Sequence, residues 1–324
     1  NVLNLEDAIA IALKSNYDIQ LAENSVVQAD NNKSVYNSGF LPTVTANADA
    51  RYNTSNAKIT DQQGNERDIE GVQTSGYGAS VGLNYVLFNG GARKYQYDKL
   101  KNLFALSSLQ KKTQIENTLI DVYTTYYNLA RSQEQKKTIE EAYKISKERL
   151  ERVTVQQEYG QKSNLDILNA KVDANKDSIN LINVAVQVEN NRRNLNFLLG
   201  REISTVFSVD SEVRLDSNLS YLELLTQLKS NNNELKQLEL NQSITQQDLK
   251  INQAGWLPSV TTNASYGYNF NDNGPAGFLA KQQSTGLSAG LNLSWNVFDG
   301  GATKVRVQNA KIAMRTQELN KQKI

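Results

Sequence analysis

Residues 39–48 read Gly-Phe-Leu-Pro-Thr-Val-Thr-Ala-Asn-Ala, and residues 255–264 read Gly-Trp-Leu-Pro-Ser-Val-Thr-Thr-Asn-Ala. Seven of the ten positions are identical, and the Phe40/Trp256 and Thr43/Ser259 exchanges are conservative. A second block follows each stretch in the same order, because Phe-Asn-Gly-Gly-Ala at 88–92 is matched by Phe-Asp-Gly-Gly-Ala at 298–302. Agreement in two ordered blocks indicates an internal duplication.

The offset between the two copies divides the chain into two predicted structural repeats. Residues 1–215 form the first repeat, with a helix, two strands and a long helical hairpin. Residues 216–324 form the second, with a helix, two strands and the start of a truncated helix. A complete second copy would run past about residue 400, so we expect the last helical hairpin to be missing from this chain.

Four segments show strict alternation of apolar and polar residues. They lie at about 44–52, 77–87, 260–270 and 287–297, and their polar positions are mostly Thr, Ser, Asn and Gly. Alternation over about ten residues matches the roughly 9–11 residues that a tilted strand needs to cross a bilayer. Aromatic residues gather near the segment ends, as in interfacial girdles. We therefore predict four transmembrane strands, joined by polar surface loops at 55–74 and 271–286.

The alternation has a second interpretation, because a half-buried antiparallel sheet of a soluble protein alternates in the same way. A sheet in lipid must close, since an open edge leaves backbone groups unpaired. Four strands are too few, because known membrane barrels have at least about 8. If the sheet spans a membrane, several chains must therefore contribute strands to one barrel.

Two very long helices are predicted after the first pair of strands. Residues 92–158 contain neither proline nor glycine, and 67 such residues would span roughly 100 Å. Gly160 suits a left-handed helix end, and Ser163 with Asp166 reads as a capping box that starts the return helix. This return helix carries a heptad seam and ends near residues 199–200. The seam consists of Leu165, Leu168, Val172, Ile179, Ile182 and Val186.

The composition excludes several chemistries. The chain has no cysteine and no histidine, which removes Cys/His zinc sites, thiol nucleophiles and His-based catalysis. A net charge of +1 gives no field that would gather nucleic acid. The longest apolar runs, such as 8–13, are far shorter than the roughly 20 residues of a spanning helix. We expect no enzyme, cofactor or metal. The open alternative is a carboxylate-dependent hydrolase of a polymer, which would need two acidic residues about 5–10 Å apart.

Three groups of residues resemble the TolC family of outer-membrane efflux proteins. Leu-Glu-Asp-Ala-Ile at 5–9, with Ala12, Leu13 and Asn16, is similar to the opening helix of the family. The duplicated Gly-aromatic-Leu-Pro and Phe-Asn/Asp-Gly-Gly blocks are also similar to it. The third match is the hairpin tip, Tyr159-Gly160-Gln161-Lys162-Ser163, followed by Asp166 and Leu168.

The resemblance implies an α+β membrane protein that assembles as a homotrimer. Each chain would give four transmembrane strands to a 12-stranded β-barrel in the outer membrane of a Gram-negative bacterium. This barrel would be continued by a long α-helical coiled-coil barrel through the periplasm.

The function that the resemblance implies is passive export. The chain would be the exit duct of a tripartite efflux pump or type I secretion system. It would conduct small molecules or proteins to the exterior, working with a periplasmic adaptor and an inner-membrane transporter. By the same resemblance, the candidates for adaptor docking are Tyr159, Gly160, Gln161, Lys162 and Ser163. A barrel-anchored, adhesin-like surface protein is the alternative, and the exported substrate stays open.

Overall fold

The computed structural model describes residues 2–60, 64, 66–211, 220–222, 231–274 and 280–323. Its contacts divide the chain into two compact units. The first comprises Asn1–Gln28 and Leu106–Gln237, and the second comprises Ala29–Ala105 and Leu238–Ile324. Each unit takes segments from both sequence repeats, so the repeat boundary near residue 215 concerns the sequence and stays a prediction.

The first unit is mainly helical. It contains α1 (Leu5–Ser15), the first part of α2 (Tyr17–Asn32), most of α3 (Ala92–Glu158) and α4 (Asn164–Leu198). The short strands β1 (Val2–Leu3) and β4 (Ser208–Val209) pair in parallel. The buried core consists of Ala8, Ala12, Val122, Tyr126, Leu129, Ala130, Val184, Val188, Leu195, Leu199, Phe207 and Val209.

Both long helices have the predicted bounds. α3 runs for 67 residues and ends at Glu158, because nothing before Gly160 interrupts its hydrogen bonds. On α3, Val122, Tyr126 and Leu129 lie at spacings of four and three residues and are buried in the core. The Tyr126 ring packs in this core, and its hydroxyl donates to the Leu3 carbonyl at 2.9 Å.

The heptad seam of α4 does not pack inside the hairpin. The buried residues of α4 include Ala170, Ala174, Val184, Val188 and Leu195, which lie on a different stripe from the predicted one. All six residues of the predicted seam are more than half exposed: Leu165, Leu168, Val172, Ile179, Ile182 and Val186. The helix therefore has two apolar stripes, one buried and one exposed. The sequence periodicity predicted the exposed stripe as the packing seam.

Asn16 marks the junction of α1 and α2. Its amide oxygen accepts hydrogen bonds from the backbone of Asp18 and Ile19, at 2.9 and 3.1 Å. Its amide nitrogen donates to the Leu198 carbonyl at 2.7 Å, at the end of α4. Gly200 follows with a φ of +63°, and a Cβ at this position would collide with the Ser15 carbonyl. The junction thus depends on one buried amide and one residue without a side chain.

The second unit contains a four-stranded antiparallel sheet. Its strands are β2 (Thr43–Thr60), β3 (Glu66–Asn89), β5 (Ser259–Asp272) and β6 (Lys281–Ser294), in the order β2-β3-β5-β6. The helices are α5 (Asn233–Ala254), of which the unit holds all but the first turn, and α6 (Ala302–Lys323). The 3-10 turn Val35–Asn37 precedes β2. The two strand pairs come from the two sequence copies and meet where β3 pairs with β5.

The predicted loops at 55–74 and 271–286 are wrong, because much of each segment is strand. β2 continues to Thr60 and β3 begins at Glu66, while β5 ends at Asp272 and β6 begins at Lys281. The pairing of β3 with β5 starts only at Ser75, so residues 66–74 pair with β2 alone. This extension is mostly exposed on both faces. Its sequence therefore does not alternate between apolar and polar residues, although its backbone remains hydrogen-bonded to β2.

Among the described residues, no helix combines the length and the apolar character that crossing a membrane requires.

Candidate functional site

One face of the four-stranded sheet is apolar. In antiparallel register, Val44 lies opposite Leu83, which lies opposite Ala264, which lies opposite Ala289. The next levels of this face add Ala46, Ala48, Ala50, Tyr77, Ala79, Val81, Tyr266, Tyr268, Phe270 and Leu287, with the polar Thr285 and Gln283 on β6 at the hairpin end. Much of this face is exposed in the chain, and Leu287 keeps 75% of its surface accessible. Such a face is matched to a lipid or protein surface and not to water.

The opposite face is polar and carries small residues. Five levels can be followed across all four strands, from the level of Thr43 to that of Arg51. Their members are Thr43, Asn84, Asn263 and Gly290; Thr45, Gly82, Ser265 and Ser288; Asn47, Ser80, Gly267 and Gly286; Asp49, Gly78, Asn269 and Ser284; Arg51, Gly76, Asn271 and Gln282. This face can line a water-filled passage without filling it.

Aromatic side chains border the apolar face at both ends. At the helix-proximal end Trp295 donates its indole N–H to the Trp256 carbonyl at 3.1 Å, and Phe298 is 85% exposed. At the hairpin end Tyr77 stacks on Phe270, with ring centroids 4.9 Å apart. The residues from 260 to 270 span about 33 Å along the strand, or about 25 Å at a tilt near 40°. This height equals that of the apolar band of outer-membrane barrels.

The Gly-Phe-Leu-Pro motif joins the sheet to α3. Gly39 has a φ of +72°, and its carbonyl accepts a hydrogen bond from Arg93 at 3.2 Å. Arg93 also donates to the Val86 carbonyl at 2.7 Å, and its guanidinium lies 4.7 Å from the Phe40 ring centre. The motif therefore fixes the first residues of α3 against the ends of β2 and β3.

The hairpin tip has a defined backbone geometry. Gly160 has a φ of +72°, its N–H donates to the Gln157 carbonyl and the Gln161 N–H donates to the Gln156 carbonyl, both at 2.8 Å. This pair of bonds is a Schellman motif, which ends α3 as the sequence predicts. A Cβ on Gly160 would meet no described atom within 4 Å, so only the backbone conformation favours glycine here.

The capping box at the start of α4 is confirmed. The Ser163 hydroxyl accepts from the Asp166 N–H at 3.3 Å, and the Asp166 carboxylate accepts from the Ser163 N–H at 2.9 Å. This bond from the Ser163 backbone, with a second from the Ser163 hydroxyl at 2.8 Å, lowers the pKa of Asp166 below its usual value. Asp166 is thus occupied by the cap, as expected.

The five candidate docking residues, 159–163, lie together on the turn and are all exposed. Tyr159 is 78% exposed, and the apolar side chains of Leu165 and Leu168 lie exposed on the first turns of α4. A groove of about 500 Å³ on α3 precedes the turn, lined by Glu148, Glu151, Arg152, Val155 and Gln156. The tip thus offers one large exposed aromatic side chain, and the groove lies on the last turns of α3 before it.

No cluster of three or more acidic side chains that could hold a metal ion occurs in the described part of the chain. The contact of Arg51 with Asn271 and the position of Asp49 beside Gly78 do not follow from the sequence pattern, in which both residues are ordinary polar members of an alternating strand. On β3, Gly76 and Gly78 lie opposite Arg51 and Asp49. Two glycines at alternate positions of a strand leave room for side chains of the neighbouring strand, and this pattern could have predicted the contacts.

The model of the outer membrane efflux protein family matches residues 8–201 and 224–323. The fold is similar to that of the Campylobacter jejuni CmeC outer membrane channel, with 19% identity, coverage of 98% of this chain and 67% of that one, and a TM-score of 0.75. The outer membrane protein VceC from Vibrio cholerae gives 15% identity, 98% and 74% coverage, and a TM-score of 0.69. The Neisseria gonorrhoeae MtrE outer membrane channel in its open state gives 17% identity, 98% and 68% coverage, and a TM-score of 0.65. No curated protein sequence gives a significant match.

The chain belongs to the outer membrane efflux protein family, because the family model covers most of its length. The TolC-like resemblance is therefore confirmed, and the chain is an outer-membrane efflux channel protein of a Gram-negative bacterium that extends into the periplasm. The structural similarities, all below 25% identity, establish the fold.

Proposed function

We propose that the chain is the exit duct of a tripartite efflux pump or a type I secretion system, passively conducting small molecules or proteins to the exterior. One observation carries the proposal: the sheet has an apolar face, a polar face and two edges, β2 and β6, that pair on one side only among the described residues. In lipid such edges must be closed, and four strands cannot close alone. Three copies would give a 12-stranded barrel, with the polar faces lining its lumen.

The internal repeat supplies a geometry for this closure. Within the chain, β3 of the first copy pairs with β5 of the second, and Leu83 lies opposite Ala264. Leu291 is the repeat equivalent of Leu83, and Ala48 is the equivalent of Ala264. If the contact between chains repeats the contact within the chain, β6 pairs with β2 of the next copy and Leu291 lies opposite Ala48. Both residues are on the apolar face, so the inferred register keeps the two faces continuous.

The glycine pairs support the same closure. Gly90 fits tightly against the end of α5 and the Gly-Trp-Leu-Pro block of the second repeat, because a Cβ there would lie 2.7 Å from the Ala254 carbonyl oxygen and 3.0 Å from Leu257 Cβ. Gly300 is the equivalent of Gly90 and has a similar φ of +66°, yet it meets no described atom within 4 Å. A neighbouring copy, presenting Ser38 and Leu41, would fill that place.

Electron imaging of the protein, extracted from its native outer membrane in mild detergent, tests this proposal. Hollow particles with three-fold symmetry are expected. Monomers, or particles without a central passage, would reject the duct. We expect no catalytic activity, since channels of this family move their substrates without converting them.

Docking of a periplasmic adaptor at the tip, with an inner-membrane transporter behind it, is part of the proposal. The exposed Tyr159 and the adjoining groove support residues 159–163 as the contact. A photoreactive residue in place of Tyr159 should capture the adaptor in native cells. The same residue at Tyr36, which is 82% exposed on the 3-10 turn, is the matched control. Equal capture from both positions would contradict tip docking.

A further inference from the structure

The polar face of the sheet carries two charged residues among the twenty that form its five complete levels, namely Asp49 and Arg51. They lie on adjacent levels of the same strand, about 7 Å apart along β2. The other eighteen residues are Thr, Ser, Asn, Gln or Gly. The charge carried by these five levels therefore comes from Asp49 and Arg51 alone.

Arg51 lies across the neighbouring strand. Its guanidinium donates to the Asn271 side-chain oxygen on β5 at 2.5 Å, although β3 runs between the two strands. The crossing is possible because Gly76 has no side chain. A Cβ there would lie 2.8 Å from the Asn271 oxygen and 3.1 Å from Arg51 Nε. A side chain at position 76 would therefore force the Asn271 or the Arg51 side chain to move.

Asp49 has a similar place one level away. A Cβ on Gly78 would lie 3.0 Å from a carboxylate oxygen of Asp49 and 2.6 Å from the side-chain oxygen of Asn269. Both polar side chains therefore lean over Gly78. Because Gly76 and Gly78 have no side chains, the Arg51 and Asp49 side chains occupy the space above β3. The two charges therefore stay close to the sheet and do not narrow the passage.

Among the residues that the structure describes, neither Asp49 nor Arg51 takes part in an ion pair. In the described part of the sheet the ion pairs are Lys58–Glu66 at 2.6 Å and Lys281–Asp272 at 3.8 Å. Asp49 and Arg51 belong to neither. Their spacing of about 7 Å is shorter than the Debye length of about 8 Å at physiological salt, so the fields of the two levels overlap and neutralising one level leaves the charge of the other unopposed.

We infer that Asp49 and Arg51 form a charge filter at the hairpin end of the duct, in which Arg51 favours anionic groups of the solute and Asp49 favours cationic groups. The inference rests on the proposed function, because only closure of the sheet turns its polar face into a lumen. With three copies, each level would carry three like charges around the passage. The geometry on Gly76 and Gly78 holds these charges in fixed positions.

Reversal potentials in a planar bilayer under a KCl gradient test the filter. With protein purified from outer membranes, Arg51→Gln should raise the K⁺/Cl⁻ permeability ratio roughly two-fold or more, and Asp49→Asn should lower it by a similar factor. Arg51→Lys keeps the charge and should keep the wild-type ratio. Lys281→Gln is the matched control, because its charge lies on the other face, and it should leave the ratio unchanged.

The outcomes separate the two proposals. If the wild-type protein conducts and both neutralised variants keep its permeability ratio, the filter is wrong and the duct stands. If the inserted wild-type protein does not conduct, the duct is wrong and the filter falls with it. Opposite shifts from the two variants, with an unchanged Lys281→Gln control, support the filter.

Discussion

At the scale of single residues, glycines with positive φ differ in whether a side chain would fit at their position. Gly160 and Gly200 both end a helix, with φ values of +72° and +63°. Space is open around Gly160, whereas a Cβ on Gly200 would collide with the Ser15 carbonyl. The sequence predicts the same helix-ending role for both, because the difference depends on a segment almost 200 residues away.

This difference gives a prediction for two alanine variants. Gly200→Ala should lower the free energy of unfolding of the first unit by about 2 kcal/mol or more, since backbone strain and collision add. Gly160→Ala should cost only about 1 kcal/mol, from the left-handed backbone alone. Denaturant unfolding followed by far-UV circular dichroism compares the two. Equal losses would show that the α1–α2 junction does not constrain Gly200.

The capping box at Ser163 and Asp166 predicts a pH effect. The folded-state pKa of Asp166 is lowered by the Ser163 bonds, so its contribution to stability is present above the ordinary pKa of 3.8 and is lost as pH falls below it. Asp166→Asn removes this titration. The stability difference between wild type and variant should therefore shrink below pH 3.8. A difference that stays constant down to pH 2 would contradict the cap's effect on Asp166.

At the scale of elements, the sequence predicted helices more accurately than strand ends. The absence of proline and glycine from 92–158 defines α3, because nothing local competes with the helix. Strand ends at Thr60 and Glu66 could not be predicted, because their hydrophobic period vanishes where both faces meet water. The buried stripe of α4 was also missed, since Ala170 and Ala174 are less apolar than Leu165 and Leu168.

The two faces of β6 make a prediction that separates the membrane sheet from a soluble one. Leu291→Arg places a charge on the apolar face and should cost roughly 2–4 kcal/mol in lipid. Asn292→Arg, one residue further along, places the same charge on the polar face and should be tolerated. The folded fraction in outer membranes, measured by heat-dependent gel mobility, reports both. Equal tolerance would contradict burial of the apolar face in lipid.

At the scale of the whole molecule, a duct can form only if the sheets of several copies close into one barrel. The internal repeat was readable from sequence at residues 39–48 and 255–264, and so was the need for more than four strands. The register between copies was not readable, because it follows from the pairing of Leu83 with Ala264. Through the repeat, that pairing predicts which two residues face each other between copies, namely Leu291 and Ala48.

The most direct test of closure is a disulfide between copies in the doubly substituted Ala48→Cys/Leu291→Cys protein. The chain has no cysteine of its own, so the background is empty. Residues opposite each other on paired strands are about 4.5–5.5 Å apart at Cα, within disulfide reach, whereas β2 and β6 of one chain are separated by two strands. Ala48→Cys/Leu287→Cys, four residues out of register, is the control.

We expect a covalent trimer on a non-reducing gel for the in-register pair and monomers for the control pair. Monomers from both pairs, with the protein properly inserted in the outer membrane, would contradict closure of the barrel by β6 and β2.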